Sequence, residues 1–233
     1  MVKFFLALLL PLIFIVNASE ARDSRDTHNH GINSPSISTS DVFALNEAPD
    51  DHVLGSNKAP ITFIVWASVT CPHCSDWFSN EWPAFNKILV QTGKVRFIFR
   101  ELPTQPAQLA MLGFMMAECA PSEKYFDLIE FQMLNQKEMF EMASKGEALS
   151  FYKKIGKMSG LKDDNDINVC MQTKEKFDHI MNNGKRAQNA GVSGVPSFYI
   201  NGRNYNNELD AINLISLVEK MIERGTSDFT DLN

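Results

Sequence analysis

Two short apolar runs frame one helix-length segment, and that arrangement constrains the fold more than anything else in the chain. Ile61–Ala67 (Ile-Thr-Phe-Ile-Val-Trp-Ala) is β-branched and aromatic, with Pro60 before it, and reads as a buried strand. Lys94 to Arg100 alternates apolar and polar residues and reads as a second strand. Between them, Cys71 to about Val90 carries Trp77, Phe78, Phe85, Ile88 and Leu89 at mixed helical spacing, with Pro83 placed to kink the helix. Strand, helix, strand over roughly 40 residues is a βαβ unit, which predicts parallel strands and a right-handed crossover.

From Gln105 to Gln188 the pattern turns helical. Leu109, Met111, Leu112, Met115 and Met116 form one apolar face; Tyr125, Leu128, Ile129 and Met133 form another; Phe151, Ile155 and Met158 form a third, and Phe177, Ile180 and Met181 follow. A methionine stripe at this spacing is core filler or the lining of a groove for varied apolar peptides. Ser197–Ile200, the turn Asn201-Gly202 and Arg203–Tyr205 read as a hairpin. Leu209, Ile212, Ile215, Val218 and Ile222 predict a terminal amphipathic helix.

The N-terminal part has a different character. Lys3 precedes thirteen apolar residues, Phe4 to Val16. That run fits a secretory signal peptide over 1–21 and is shorter than the roughly 20 residues a membrane-spanning helix needs. Cleavage is expected after Ala18 or Ala21. Residues 22–50, rich in Ser, Asp, Asn and His, read as a flexible linker. His28 and His30 lack a second ligand pair, so they read as solvated rather than as a metal site. With 28 acidic against 22 basic residues the chain lacks the clustered cations of a nucleic-acid binder. Export places its four cysteines where disulfides persist.

Cys71-Pro72-His73-Cys74 falls where the first strand meets its helix. The first turn of a helix has unpaired N–H groups and a partial positive charge, and both favour a thiolate there. Pro72 suits the first helical position, where its missing N–H costs nothing. His73 adds a donor or a charge beside the sulfur. Cys71 is expected to be the more exposed, acidic thiol and Cys74 the more buried one that keeps its proton. Stabilising the thiolate makes the disulfide form oxidising. A substrate thiolate then attacks at Cys71, a mixed disulfide forms, and a second substrate thiol resolves it. Half a zinc site does not fit, because a closed site needs four ligands. A haem-attachment motif needs His where Ser75 stands. Cys119 and Cys170 either pair with each other or remain two buried thiols, with no catalytic role in either case. Pro196 precedes the Ser197–Ile200 strand; its peptide bond is trans by frequency, or cis if the backbone turns there to expose Val195.

Taken together, Trp66-Ala67-Ser68-Val69-Thr70-Cys71-Pro72-His73-Cys74, the segment Gly191 to Gly202 with Val195-Pro196, and the helical stretch between them resemble the disulfide oxidases of the DsbA type, over roughly His52 to Arg224. The resemblance implies an α/β thioredoxin fold (βαβ, then ββα) over 51–104 and 189–226 with an inserted α-helical domain over 105–188. It implies a cis Pro196 against the Cys71–Cys74 pair, with Val195 binding an extended substrate peptide by strand addition and His73 stabilising the Cys71 thiolate. Cys119–Cys170 resembles the extra helical-domain disulfide of some alphaproteobacterial members. The implied partners are reduced or unfolded exported proteins in the periplasm and a quinone-linked membrane reoxidase of the DsbB type; the chain is expected to be a monomer with no cofactor, no metal and no nucleic acid. Many relatives carry a buried acid six residues before the first cysteine; Val65 stands there instead. A disulfide isomerase or reductase on the same fold is the alternative, and a non-catalytic metal- or peptide-binding module is a third reading.

Overall fold

The computed structural model describes residues 44–232. The expected signal peptide with its cleavage point after Ala18 or Ala21, the histidines His28 and His30, and most of the expected linker lie outside the described residues.

Five strands form one mixed sheet in the order β1-β3-β2-β4-β5: β1 His52–Leu54, β2 Ile61–Ala67, β3 Val95–Glu101, β4 Ser197–Ile200 and β5 Arg203–Tyr205. Strands β2 and β3 are parallel, as the βαβ pattern predicts, in a register that pairs Ile61 with Val95 and Ala67 with Glu101. Strand β4 lies antiparallel on the other side of β2, with Val65 opposite Phe198, and β5 folds back on β4. The hairpin turn needs a left-handed backbone at both central residues, Asn201 (φ 48°) and Gly202 (φ 81°), which the Asn-Gly pair supplies. The short β1, absent from the sequence expectation, closes the far edge antiparallel to β3.

The crossover from β2 to β3 is broken into three pieces: α1 Pro72–Asn80, α2 Trp82–Phe85 and a π-helical turn Asn86–Val90. The break falls at Glu81, next to Pro83, whose ring cannot continue the hydrogen-bond ladder. Six helices follow between β3 and β4: α3 Ala107–Glu118, α4 Tyr125–Leu134, α5 Gln136–Ser144, α6 Ala148–Ser159, α7 Asp164–Met171 and α8 Lys174–Asn189. Helix α9, Ala211–Arg224, follows β5. The architecture is a thioredoxin fold with a helical insertion.

Strand alternation divides the core. Phe63, Val65, Ala67, Phe97 and Phe99 point to one face, where they pack with Trp77, Phe78, Trp82 and Phe85 of the crossover and with Leu214, Val218 and Met221 of α9. Ile64, Trp66, Ile98 and Tyr199 point to the other, covered by Ala187 and by Leu45. The helical block joins the first face through Phe114, Met116, Ile129, Met133, Phe151 and Ile155. Most of its methionines therefore serve as core: Met115, Met116, Met133 and Met139 are buried, and Met111, Met142 and Met171 pack partly buried against them.

Two sequence expectations need correction. Residues 44–50 fall within the expected linker, yet Ala44 and Ala48 are buried. Arg100, on the outward end of β3, explains this. Its guanidinium donates to Asp51 at 2.9 and 2.7 Å and to the carbonyls of Ala44 and Asn46 at 2.7 and 2.6 Å, and it lies over the Trp66 ring. A fully buried guanidinium requires such partners, and the polar segment supplies them. On the helices, the apolar stripe is displaced from the expected one: Ile212, Ile222, Phe177, Met158 and Met181 are exposed. On α9 the stripe that meets the core is Ala211, Leu214, Val218 and Met221.

Candidate active site

Strand β2 ends at Ala67, and four residues later Cys71 stands as the N-cap of α1 with Pro72 at the first helical position. No side chain caps this end. The local geometry explains why the turn is tight: the Cys71 N–H donates to Ser68 O, and Cys71 O accepts from both Cys74 N and Ser75 N at 3.1 Å. Cys71 and Cys74 are free thiols. Cys71 retains 8% of its accessible surface while Cys74 is fully buried, and His73 and Pro72 are exposed at the rim.

The two sulfurs differ in acidity for physical reasons. The hydrogen bond from Cys74 to the Cys71 sulfur contributes most; burial opposes it; the backbone N–H groups of Cys74 and His73 and the His73 charge add to it. The Cys71 thiol is held at about 6, against an ordinary value of 9.0. Burial, and then the Cys71 sulfur, push Cys74 far above the ordinary range. Ser68 N–H, 3.5 Å from the Cys74 sulfur, works weakly the other way.

The second predicted segment closes on the first. The Val195–Pro196 peptide bond is cis. The Val195 carbonyl lies 3.4 Å from Cys71 Sγ, across 124 residues of sequence. Both residues are half-buried, so part of this backbone remains open beside the sulfur. Cys119 and Cys170 form a disulfide with Cα atoms 6.0 Å apart, linking the end of α3 to α7. Val65, the residue at the usual acid position, is fully buried among Phe99 and Phe198.

Several supporting residues were not legible beforehand. Gln136, the first residue of α5 and 6% exposed, donates from Nε2 to the carbonyls of Val69 and Cys71, both at 3.0 Å. Ser75 Oγ donates to Met133 O of α4 at 2.7 Å. The hydroxyls of Ser68, Thr70 and Thr104 form a buried chain beneath the turn. Trp77 Nε1 donates to Leu209 O and ties α1 to the segment before α9. A lone Gln at the start of a polar helix carries no pattern that would single it out. A buried acid is also present on the Val65 face, but on the neighbouring strand: Glu101, two residues beyond the Val65 level on β3. Gln105–Pro106 is a second cis bond, just before α3.

This geometry can be set beside known proteins. A family model described as Thioredoxin matches residues 47–220. By sequence, the chain is 25% identical over 218 residues to the "Putative protein-disulfide oxidoreductase" of Rickettsia typhi, covering 92% of this chain and 74% of that one. It is 27% identical over 192 residues to the protein of the same title from Rickettsia bellii, covering 81% and 71%. Among solved structures, alpha-DsbA1 of Wolbachia pipientis matches with a TM-score of 0.69 and 25% identity, over 84% of this chain and all of that chain. A Thioredoxin match over most of the chain, on a five-stranded sheet with a helical insertion like that of alpha-DsbA1, means that the chain belongs to the thioredoxin family, with a DsbA-like fold.

Proposed function

We propose that this DsbA-like protein is a thiol–disulfide oxidoreductase working as an oxidase, and that it donates a Cys71–Cys74 disulfide to reduced exported proteins. The observation that carries the reading is the acidic Cys71 sulfur at the helix N-cap, 3.4 Å from the Val195 carbonyl and beside a deeply buried Cys74. The similarity to proteins titled protein-disulfide oxidoreductase supports the same chemistry.

A substrate thiolate attacks Sγ of Cys71; the Cys71–Cys74 bond breaks and Cys74 departs with the electron pair, then takes a proton, as its raised pKa favours. A second thiolate of the substrate attacks the substrate sulfur of the mixed disulfide, and Cys71 leaves as a thiolate. Two electrons pass from substrate to protein. A low-pKa leaving thiol speeds that second displacement. Val195 and Pro196 present backbone for an extended peptide, a mode that tolerates many sequences. His73 and Pro72 shape the N-terminal turn of α1, and Cys119–Cys170 is structural. On this reading the chain is a periplasmic monomer, reoxidised by a quinone-linked membrane partner of the DsbB type.

The test is oxidation of a fluorescent dithiol peptide by the oxidised chain, together with the reduction potential of the pair. Cys71→Ser is expected to abolish turnover, and the potential to lie well above about −200 mV. Turnover surviving in Cys71→Ser overturns the mechanism, and a potential near the roughly −270 mV of thioredoxin makes the chain a reductant instead.

A further inference from the structure

Away from the cysteines, four side chains of a different kind converge between the sheet and the helical block. His52 begins β1, Glu101 ends β3, Glu118 ends α3 and His179 lies in the middle of α8. One donor atom from each lies within 4.8 Å of all the others. His52 Nε2 is 2.6 Å and His179 Nδ1 2.8 Å from the same oxygen, Oε1 of Glu118. His52 Nε2 is also 4.0 Å from Oε1 of Glu101. We propose that these four residues bind one divalent transition-metal ion of the zinc class.

Charge and donor chemistry point the same way. Glu101 is fully buried and Glu118 nearly so, which places two carboxylates together away from water. Two such groups need a matching positive charge, and a dication supplies it in full. Two imidazole nitrogens with two carboxylate oxygens suit zinc-class ions; calcium and magnesium take all-oxygen sets. Bonds of about 2.0–2.1 Å in a tetrahedron separate ligand atoms by about 3.4 Å. The present spacings, 2.6 to 4.8 Å, bracket that value. Binding replaces the imidazole protons now shared with Glu118, so protons are released.

The surroundings are built as a metal site's supports are. Tyr125 Oη donates to Glu101 Oε1, and Asn183 Nδ2 donates to Glu101 Oε2 at 2.5 Å. The His52 ring stacks on Tyr125 at 3.5 Å between centroids, and meets the edge of His179 at 5.0 Å. Such contacts fix ligand orientation before an ion arrives. His179 Nε2 is buried without a partner among the described residues; a neutral ring ligating through Nδ1 leaves no charge at that unpaired N–H. The bound ion would clamp sheet to helical block beside the Cys119–Cys170 disulfide, since Glu118 directly precedes Cys119.

The probe is Zn²⁺, titrated calorimetrically into the untagged, chelator-stripped chain with Cys71–Cys74 oxidised so that no thiol competes; Co²⁺ serves as the spectroscopic reporter. One equivalent of Zn²⁺ is expected to bind with proton release, and Co²⁺ to give the visible absorption of a four-coordinate ion. His52→Gln and His179→Gln should each weaken Zn²⁺ binding at least about 10-fold, and the double variant His28→Ala/His30→Ala should leave it unchanged. In the unaltered chain, the imidazole ¹⁵N resonances of His52 and His179 should shift on Zn²⁺ addition, a readout independent of whether any variant folds. No uptake of Zn²⁺ at millimolar concentration, unmoved His52 and His179 resonances, or binding that depends on His28 and His30 alone would each overturn the proposal. Dithiol oxidation at Cys71 is measured separately, so either reading can fail without the other.

Discussion

One sulfur sets the pH behaviour of the whole redox couple. Cys71, held at about 6, loses its proton well below neutrality, while Cys74 keeps its own. Below about pH 6 the two electrons of reduction bring two protons, and the potential should fall by about 59 mV per pH unit; above it they bring one, and the slope should halve to about 30 mV. Equilibration with glutathione across that range checks this, and a slope near 59 mV persisting to pH 8 or so would show an ordinary thiol. The same shift has a stability consequence with a definite sign. Because the folded-state value is depressed below the unfolded value near 9, the stabilisation is fully present above that value and is lost as pH falls through about 6. The urea midpoint of the reduced chain, relative to the oxidised one, should therefore rise between those two limits. The neighbouring proline gives a second test. Thr at position 196 adds an N–H and a hydroxyl beside Cys71 Sγ, which should hold the mixed disulfide and slow its resolution. Pro196→Thr is thus expected to accumulate covalent substrate adducts on non-reducing gels, and their absence would count against a substrate role for this segment. The redox turn and the Val195-Pro196 segment could both be read from sequence because each sits at a strand end with a distinctive residue pair. Their approach followed only from the resemblance, which implies Pro196 against the cysteine pair; the residues alone do not give it, since it depends on how β2 and β4 register.

At the level of elements, the N-terminal turn of α1 is held from outside as much as by its own sequence. Gln136 of α5 satisfies the carbonyls of Val69 and Cys71 from one amide, and both contacts are buried. Gln136→Ala leaves these acceptors without that donor, at a cost of about 1–3 kcal/mol. It should also loosen the Cys71 turn. Urea unfolding checks the first effect, and faster alkylation of Cys74, normally shielded, checks the second; unchanged stability and unchanged Cys74 protection would show that α5 does not support the turn. Elements differed in how far sequence reached. The βαβ unit, the helical block and the Asn-Gly hairpin were legible because strand and helix periods differ so clearly. The buried stripe of α9 was legible only in part: Val218 and the partly buried Ile215 meet the core as expected, but Ile212 and Ile222 are exposed while the smaller Ala211, with Leu214 and Met221, is buried. Two apolar stripes lie side by side there, and tertiary packing chooses between them. The segment before β1 departs from its linker-like composition for a related reason. Its polar residues suggested solvation, but a buried Arg100 needs those acceptors.

For the molecule as a whole, the redox turn and the long-range covalent tie belong to different parts of the structure. Cys119 closes α3 and Cys170 lies in α7, 51 residues on. The turn at Cys71, by contrast, is contacted by α4 through Met133 and by α5 through Gln136. A tie of that loop length restricts the unfolded chain and stabilises the fold by about 4 kcal/mol in the chain-entropy model. That is a large share of the roughly 5–15 kcal/mol available to an ordinary domain. Cys119→Ala/Cys170→Ala should therefore lower the unfolding free energy by up to about that amount under non-reducing conditions. The acidity of Cys71 should stay near 6, because every contact that lowers it comes from Cys74 and His73. Urea unfolding and a thiolate titration on the same variant separate the two effects. If the titration moved together with stability, the helical block would be transmitting its packing to the sulfur, and redox chemistry and fold stability could no longer be treated as independent properties of this chain.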